Sequence, residues 1–258
     1  MIISLAGCSG CISTLFSMDV LYELIAKFAI VNFPFILDEN EINVSDIALV
    51  EGCVLDATHV ETLKVIRERC KKVFALGTCA AFGGIASLSE KNLARPVTSV
   101  IDVDGMIPGC PPPAALLNDA AIRIMDGKRI VLPECNVCAS CELRVENMDS
   151  LTTPITSLVP DPSKVGPDGV PDRCFLHDGV LCLGPVTRDG CGAKCTKHGI
   201  PCEGCMGPVS QDFTANAINF MSNIPAKPDI KAYKGMLFRF SKPAIKTKPF
   251  VTSRRIEP

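Results

Sequence analysis

The sequence has little of what marks several common functions. It has no Trp and only two Tyr among 258 residues, which leaves little aromatic surface for stacking on nucleic acid bases. The net charge is −2 and the pI is about 6.0, so no basic surface for a phosphate backbone is expected. No apolar run approaches the ~20 residues that a membrane-spanning helix needs. These absences argue against a nucleic-acid partner and against a transmembrane segment.

The start of the chain lacks the features of an export signal. The run MIISLA (1–6) is typical of a strand, with no basic region before it and no cleavage site after it. We therefore expect a cytoplasmic protein. Apolar residues make up 47% of the chain and charged residues 21%, which suits a sizeable core in one large or two small domains.

Cysteine, in contrast, is abundant, with 15 residues in the chain. Three pairs have the spacing C-x-x-C: Cys8/Cys11, Cys138/Cys141 and Cys202/Cys205. Such a pair brings two sulfurs to one metal or cluster, whereas a disulfide across so short a loop gains little from chain entropy. Iron–sulfur ligation is the favoured interpretation, and zinc sites, disulfides or free thiols are the alternatives.

Residues 1–130 alternate short apolar runs with helical patterns. The predicted strands are 1–6, 33–37, 46–50, 71–76 and, less regularly, 98–103. The predicted helices are 13–31, 59–70 and 111–128. This alternation predicts an α/β domain with a flavodoxin-like, doubly wound parallel sheet.

Residues 131–258 lose this periodicity and are rich in Pro, Gly, Asp and Cys. The stretch 152–173 is typical of a loop, and a short helix is expected at 214–224. We expect an irregular domain, with a C-terminal extension, that takes its order from the metal clusters that cross-link it.

Five cysteines of the first domain follow strands or precede a helix: Cys8, Cys11, Cys53, Cys79 and Cys110. The loops at the carboxyl ends of parallel strands line one crevice. Cys8, Cys11, Cys79 and Cys110 can therefore surround one cubane cluster. Glycines beside them would let backbone approach closely: Gly7, Gly10, Gly77, Gly83, Gly84 and Gly109. For one of these cysteines alone, a small buried hydrophobe is the favoured interpretation, but four at successive strand ends, with one C-x-x-C pair among them, favour a cluster.

An ordered set of motifs then indicates a family. GCSGC (7–11), VEG (50–52), GTCAAFGG (77–84) and PGCPPP (108–113) resemble the small subunit of nickel–iron hydrogenases. The stretch 182–209, CLGPVTRDGCGAKCTKHGIPCEGCMGPV, is similar to the delta subunit of cytoplasmic sulfhydrogenases and the small subunit of methyl-viologen-reducing hydrogenases. The resemblance covers residues 1 to about 220.

The resemblance implies three 4Fe-4S clusters in a line. The implied ligands of the proximal cluster are Cys8, Cys11, Cys79 and Cys110. Those of the distal cluster are Cys138, Cys141, Cys174 and Cys182. Those of the medial cluster are Cys191, Cys195, Cys202 and Cys205. A cysteine at 138, where exported relatives have His, and a fourth medial thiol at 195 point to the cytoplasmic branch.

Four residues near these motifs have open roles. Cys135 could compete with Cys138 as a ligand. Cys53 is expected to be inert, but it could tune the proximal site or exchange with one of its ligands. Cys70 is expected to pack in the core. Glu51 could accept a proton near a partner's active site, or accept backbone N–H groups from the CSGC loop; the second role is favoured.

The expected function is electron transfer, without a catalytic residue in this chain. By resemblance, dihydrogen reacts at a nickel–iron site in a partner large subunit. Electrons then leave through a further subunit, either a flavoprotein or a 2Fe-2S protein. A nickel-free redox complex that reuses the same fold is the alternative, and a zinc-ribbon interaction protein is a third hypothesis.

Overall fold

The computed structural model describes residues 1–38, 40–88, 94–144, 151–209, 220–222, 224, 235–236 and 238–242. The chain forms two compact units. The first runs from Met1 to Leu132 and includes the residues described from Phe240 onward; the second is Pro133–Arg239. The sequence pattern places the domain boundary near residue 130 and assigns the whole C-terminal part to the second domain.

A four-stranded parallel sheet forms the centre of the first unit. Its strands, in sheet order, are β1 (Ile2–Ser4), β2 (Ser45–Glu51), β3 (Cys70–Leu76) and β4 (Gly105–Ile107). The two central strands, β2 and β3, contain β-branched and aromatic residues, and most of their carboxyl-terminal positions are buried. The predicted α/β class with a parallel sheet is confirmed.

The chain leaves the sheet beyond the outer edge of β1 before it forms β2. Leu49 of β2 donates its N–H to Met1 O at 3.0 Å, so the carbonyl of Met1 faces β2. Ile2 donates its N–H to Asn32 O at 2.8 Å. Asn32 belongs to the segment of chain that leads into β2. This segment therefore runs along β1 without joining the sheet as a strand.

The predicted strand at 33–37 is wrong, because the segment at this edge turns immediately. Ile36 and Leu37 both donate their N–H groups to Phe33 O at 2.9 Å, which closes a turn around Pro34. Proline has no N–H for a sheet ladder and favours such a turn. The Phe33 ring is 3% exposed and stacks on Phe16, with 5.8 Å between ring centroids.

Among the described residues of the first unit, five α-helices accompany the sheet. They are α1 (Gly10–Leu15), α2 (Leu21–Lys27), α3 (Ala57–Arg69), α4 (Gly77–Phe82) and α5 (Ala114–Met125). The single helix predicted at 13–31 is therefore wrong: it is replaced by α1 and α2. Helix α5 holds the break between α1 and α2, because its Asn118 accepts a hydrogen bond from Asp19 N–H at 3.1 Å and donates one to the Asp19 carboxylate at 2.7 Å.

The predicted strand at 98–103 is also wrong. Val97–Ser99 forms a 3₁₀ turn, in which Ser99 donates both its N–H and its hydroxyl to Pro96 O. These local hydrogen bonds compete with sheet pairing. Strand β4 begins only after this turn, and Asp104 connects it to β3: its carboxylate accepts from Val73 N–H and from Arg67, both at 2.8 Å.

The second unit is irregular, as predicted, but it has an apolar core of its own. Its described helical segments are 3₁₀ turns, the short α-helix α6 (Lys194–Lys197) and the helical residues 220–222. Ile155, Phe175 and Leu176 are each at most 2% exposed and belong to one buried cluster. Ile155 lies in the stretch expected to be loop, so metal clusters are not the only source of order in this unit. The helix predicted at 214–224 lies mostly outside the described residues.

Across the described part of the chain, no helix is both long enough and apolar enough to cross a lipid bilayer.

Removal of the Asp104 carboxylate is expected to loosen the pairing of β3 with β4. Asp104→Ala leaves the Val73 N–H without its acceptor, at a cost of about 1–3 kcal/mol. Asp104→Asn keeps an acceptor oxygen and serves as the control. The thermal midpoint of unfolding, followed by circular dichroism, should fall clearly for Ala and little for Asn. Equal midpoints for the two variants would show that this carboxylate does not hold the strands together.

Candidate metal centres

Four thiols of the first unit lie at the carboxyl ends of the parallel strands. Cys8 and Cys11 follow β1 and flank the start of α1, where Ser9 has a left-handed φ of 61°. Cys79 lies in α4, directly after β3, and Cys110 lies in the loop between β4 and α5. The parallel sheet therefore brings to one edge residues that are far apart in sequence.

These thiols are close enough to influence one another's ionisation. Burial, followed by the nearby thiols of Cys110 and others, raises the pKa of Cys79 to about 12. Burial, Glu51 and Cys79 raise the pKa of Cys11 even further. Cys8 and Cys110 interact with both of these thiols and with each other. The four thiols therefore form one electrostatically interacting group, and Cys11 and Cys79 are protonated at neutral pH.

Two glycines make this grouping sterically possible. Gly77 begins α4 with a φ of +81°, and a β-carbon on it would collide with the sulfur of Cys11. Gly84 has a φ of +63°, and a β-carbon there would collide with the sulfur of Cys79. The close approach expected for the glycines is therefore found at these two positions. Gly7, in contrast, faces a carboxylate: a β-carbon on it would lie 2.7 Å from Glu51 Oε2.

Glu51 and Cys53 lie just behind the four thiols. Glu51 is 3% exposed, and burial raises the pKa of its carboxyl group. Cys53 is fully buried and donates its S–H to Ala6 O at 3.3 Å. Its thiol also interacts electrostatically with Cys79. Both residues are therefore neighbours of the four thiols, and each adds an acidic group to an already acidic site.

The second unit contains a cavity of about 430 Å³ that is lined by thiols. The four cysteines implied as distal ligands all line it: Cys138, Cys141, Cys174 and Cys182. Burial first, and then the nearby Cys182, raises the pKa of Cys138 to about 12. Cys135 also lines the cavity but is exposed, whereas Cys138 interacts with all three other members of the set.

Backbone N–H groups are directed at two of these sulfurs. Cys202 donates its N–H to the sulfur of Cys182 at 3.3 Å, and Gly184 supplies a second backbone donor to the same sulfur. Cys174 accepts N–H groups from Leu176 and from the following residue. Donors of this kind favour the thiolate form that a metal requires.

The remaining implied ligands are described as two pairs. Cys195 interacts with Cys191, and Cys202 interacts with Cys205. Cys202 also interacts with Cys182, so this pair adjoins the cavity thiols. The contacts join each pair internally, and the assignment of both pairs to one cluster rests on the motif resemblance.

No disulfide joins any of the fifteen cysteines, all of which are described. Within the described ranges, no three or more Cys, His, Asp or Glu side chains converge closely enough to hold a single metal ion. In a cubane cluster each thiolate binds a different iron, so four ligands stand further apart than around one zinc ion. Grouped, non-bonded thiols with backbone donors therefore fit iron–sulfur clusters better than disulfides or zinc. Cys70, as expected, packs in the core, with its sulfur 3.8 Å from that of Met1.

Two residues of the second unit were not identified from sequence. Thr196 is 3% exposed and its hydroxyl lies 3.3 Å from the sulfur of Cys141. Gly184 lies among thiols, since a β-carbon on it would be 3.2 Å from the Cys138 sulfur and 3.6 Å from that of Cys182. Their position within two residues of a motif cysteine was the only signal, and it does not separate a neighbour of the site from an ordinary linker residue.

The fold and these thiol groups are typical of one class, the iron–sulfur subunits of redox enzymes. The family described as NADH ubiquinone oxidoreductase, 20 Kd subunit, matches residues 8–124, which lie in the first unit. The chain is 36% identical to the vhu G subunit of the F420-non-reducing hydrogenase of Methanocaldococcus jannaschii, with 93% of each chain covered. It is 29% identical to sulfhydrogenase 2 subunit delta of Pyrococcus furiosus, over 80% of this chain and 85% of the relative.

The chain belongs to the family of nickel–iron hydrogenase small subunits, as the motif resemblance predicted. Solved structures agree at the level of the fold. A chain of the nickel–iron–selenium hydrogenase from Desulfomicrobium baculatum superposes with a TM-score of 0.53 at 20% identity, over 80% of this chain and 94% of that one. A chain of the actinobacterial-type nickel–iron hydrogenase of Ralstonia eutropha has a TM-score of 0.52 at 14% identity, over 99% and 93%.

Replacement of Gly77 by Ala is expected to disrupt the first thiol group specifically. The new β-carbon would collide with the Cys11 sulfur, so the natively purified protein should lose about four irons, one cubane's content. Gly127→Ala is the matched control, because Gly127 also has a positive φ (+69°) but no atom within 4 Å of where a β-carbon would stand. Iron analysis of both variants tests this prediction. Equal loss of iron from both variants would show that backbone strain, and not the sulfur contact, governs the effect. Full iron content in Gly77→Ala would contradict the prediction.

The raised thiol pKa values predict that the metal-free chain is weakened by alkali. Cys79, Cys138 and Cys182 each have a pKa of about 12 when folded, whereas thiols of an unfolded chain ionise near pH 8.5. Above that pH the unfolded chain binds fewer protons than the folded one, so stability falls as pH rises. The urea midpoint of the iron-free, reduced chain should therefore be lower at pH 9.5 than at pH 7.5. An unchanged or higher midpoint would contradict the burial of these thiols.

Proposed function

We propose that this chain is the electron-transfer small subunit of a cytoplasmic nickel–iron hydrogenase. It relays electrons released by dihydrogen oxidation in a partner large subunit, through three 4Fe-4S clusters, to a further redox subunit. The observation that carries the proposal is the grouping of unpaired thiols at the strand ends and around the cavity of the second unit. Similarity to hydrogenase subunits, over 93% and 80% of this chain in two relatives, supports the same function.

Twelve cysteines hold the clusters in this proposal. The first cluster is held by Cys8, Cys11, Cys79 and Cys110. The second is held by the cavity thiols Cys138, Cys141, Cys174 and Cys182. The third is held by Cys191, Cys195, Cys202 and Cys205. When bound, such clusters accept and pass on single electrons.

The protein's own residues provide ligation, burial and hydrogen bonds. Burial of Cys138 and Cys182 limits water around the second cluster, and the N–H of Cys202 donates to a ligand sulfur. Such donors stabilise the more negative, reduced form and raise its potential. The elevated pKa values imply that each cluster's assembly releases protons, because only thiolates bind iron.

Partners follow from the same proposal. The large subunit carries the nickel–iron site, and no residue of this chain is assigned a bond-making role. The acceptor is a flavoprotein or a 2Fe-2S protein. Relatives differ on this point, since they include both F420-non-reducing hydrogenase subunits and the gamma subunit of a coenzyme F420 hydrogenase from Methanosarcina barkeri, which is 31% identical over 78% of this chain.

A nickel-free redox complex is the second candidate. The family match to the 20 Kd subunit of NADH ubiquinone oxidoreductase favours it, but only over residues 8–124. Metal analysis of the natively purified complex separates the candidates. A hydrogenase gives about twelve irons per copy of this chain with nickel in a partner, and the alternative gives iron without nickel. Stoichiometric zinc without iron would reject both.

Substitution of Cys110 by Ser is expected to abolish reduction of the complex by dihydrogen. Loss of one ligand should remove the first cluster and about four irons, while the fold of the first unit persists. Cys135→Ser is the matched control, because Cys135 is exposed and is not assigned as a ligand. The readouts are iron content and the electron paramagnetic resonance spectrum after exposure to dihydrogen.

Two outcomes would contradict the ligand assignments. An unchanged first-cluster signal in Cys110→Ser would remove Cys110 from its set. Loss of four irons in Cys135→Ser would show that Cys135, rather than Cys138, is a ligand in the cavity.

A further inference from the structure

Thr196 lies beside proposed ligands of both clusters of the second unit. Its buried side chain lines the thiol cavity, and its hydroxyl oxygen is 3.3 Å from the sulfur of Cys141. The residue before it, Cys195, is a proposed ligand of the other cluster. The hydroxyl thus contacts a ligand of one site, while its backbone continues directly from a ligand of the next.

The Thr196 hydroxyl donates a hydrogen bond that can be lost without leaving its acceptor unpaired. In the structure Cys141 donates its S–H to Thr196 Oγ1, and Thr196 donates to Ala193 O at 2.9 Å. Ala193 O also accepts the N–H of Lys197 at 3.2 Å. Loss of the hydroxyl donor would therefore leave this carbonyl with a partner, so no buried acceptor is orphaned.

Metal binding changes the Cys141 sulfur from a hydrogen-bond donor to an acceptor. A ligating cysteine is a thiolate, which has no proton to donate and accepts hydrogen bonds. The hydroxyl is a donor already within reach of that sulfur. Because a hydrogen bond to a ligand sulfur is strengthened by negative charge, it stabilises the reduced cluster more than the oxidised one.

We propose that the Thr196 hydroxyl donates to the Cys141 sulfur in the iron-loaded protein and raises the reduction potential of the cavity cluster. Thr196 is then a positioning and tuning residue, which acts through Cys141. This inference rests on the proposed function, since it needs a cluster at the cavity thiols.

Thr187 supplies an internal comparison at the neighbouring site. It is 2% exposed, donates to Leu183 O at 2.6 Å and interacts through its side chain with the thiol of Cys202. Cys202 is assigned to the other cluster. Removal of each hydroxyl should therefore change the reduction potential of a different cluster, so each threonine variant serves as a control for the other.

The test compares four variants of the purified complex by redox titration followed by electron paramagnetic resonance. Thr196→Val removes the hydroxyl with little change of shape, and Thr196→Ser restores it. Thr187→Val removes the hydroxyl at the other site. Thr156→Val makes the same chemical change at an exposed position of the same unit. Iron is counted in every sample.

In Thr196→Val the ratio of reduced to oxidised cavity cluster at a fixed potential should fall about tenfold, which for one electron corresponds to a potential lower by about 59 mV. Thr196→Ser should lie near the parent value, and Thr156→Val should not differ from it. Thr187→Val should shift the signal of the other cluster and leave the cavity cluster unchanged.

Three results would overturn the inference. The first is an unchanged potential in Thr196→Val with full iron content. The second is an equal shift in the Val and Ser variants, which would indicate packing rather than hydrogen bonding. The third applies if Thr196→Val does not load iron: the smaller Thr196→Ala is then measured, and an unchanged potential in that variant overturns the inference. Absence of iron from the parent complex would instead reject the proposed function.

Discussion

The burial of several thiols side by side is the constraint on which the site architecture depends. Desolvation disfavours the charged thiolate, and each neighbouring thiol adds to the effect, so that Cys79 and Cys138 reach pKa values of about 12. At neutral pH these thiols stay protonated, and their ionisation needs a cation to offset the buried charge. In the proposed function iron would replace the protons, and this exchange would link folding, metal binding and redox function.

The two units meet this constraint by different means. In the first, regular strands end at one edge, and Gly77 and Gly84 remove the β-carbons that would strike the sulfurs of Cys11 and Cys79. In the second, short turns around the buried Phe175 form a cavity, and backbone N–H groups point at one of its thiols. An apolar core and a thiol group thus coexist in a segment whose sequence has no regular period.

Sequence reasoning succeeded where a residue's own chemistry carries the signal. The strands around Val50 and Val73 and the helix around Leu63 follow from apolar patterning. It failed where a competing contact decides the backbone. The apolar run 33–37 turns immediately, and Ser99 bonds back to Pro96 instead of extending a strand. Those outcomes depend on which hydrogen-bond partner is nearer, and a pattern of apolar residues does not contain that information.

The sequence by itself determined the parallel α/β class, the cysteine motifs and the hydrogenase family, because periodicity and ligand spacing are properties of neighbouring residues. Only the tertiary structure decided which other residues touch the thiols. Thr196 beside Cys141 and Cys202 beside Cys182 are contacts between residues 55 and 20 positions apart. They arise from chain packing, which sets distances that local sequence does not encode.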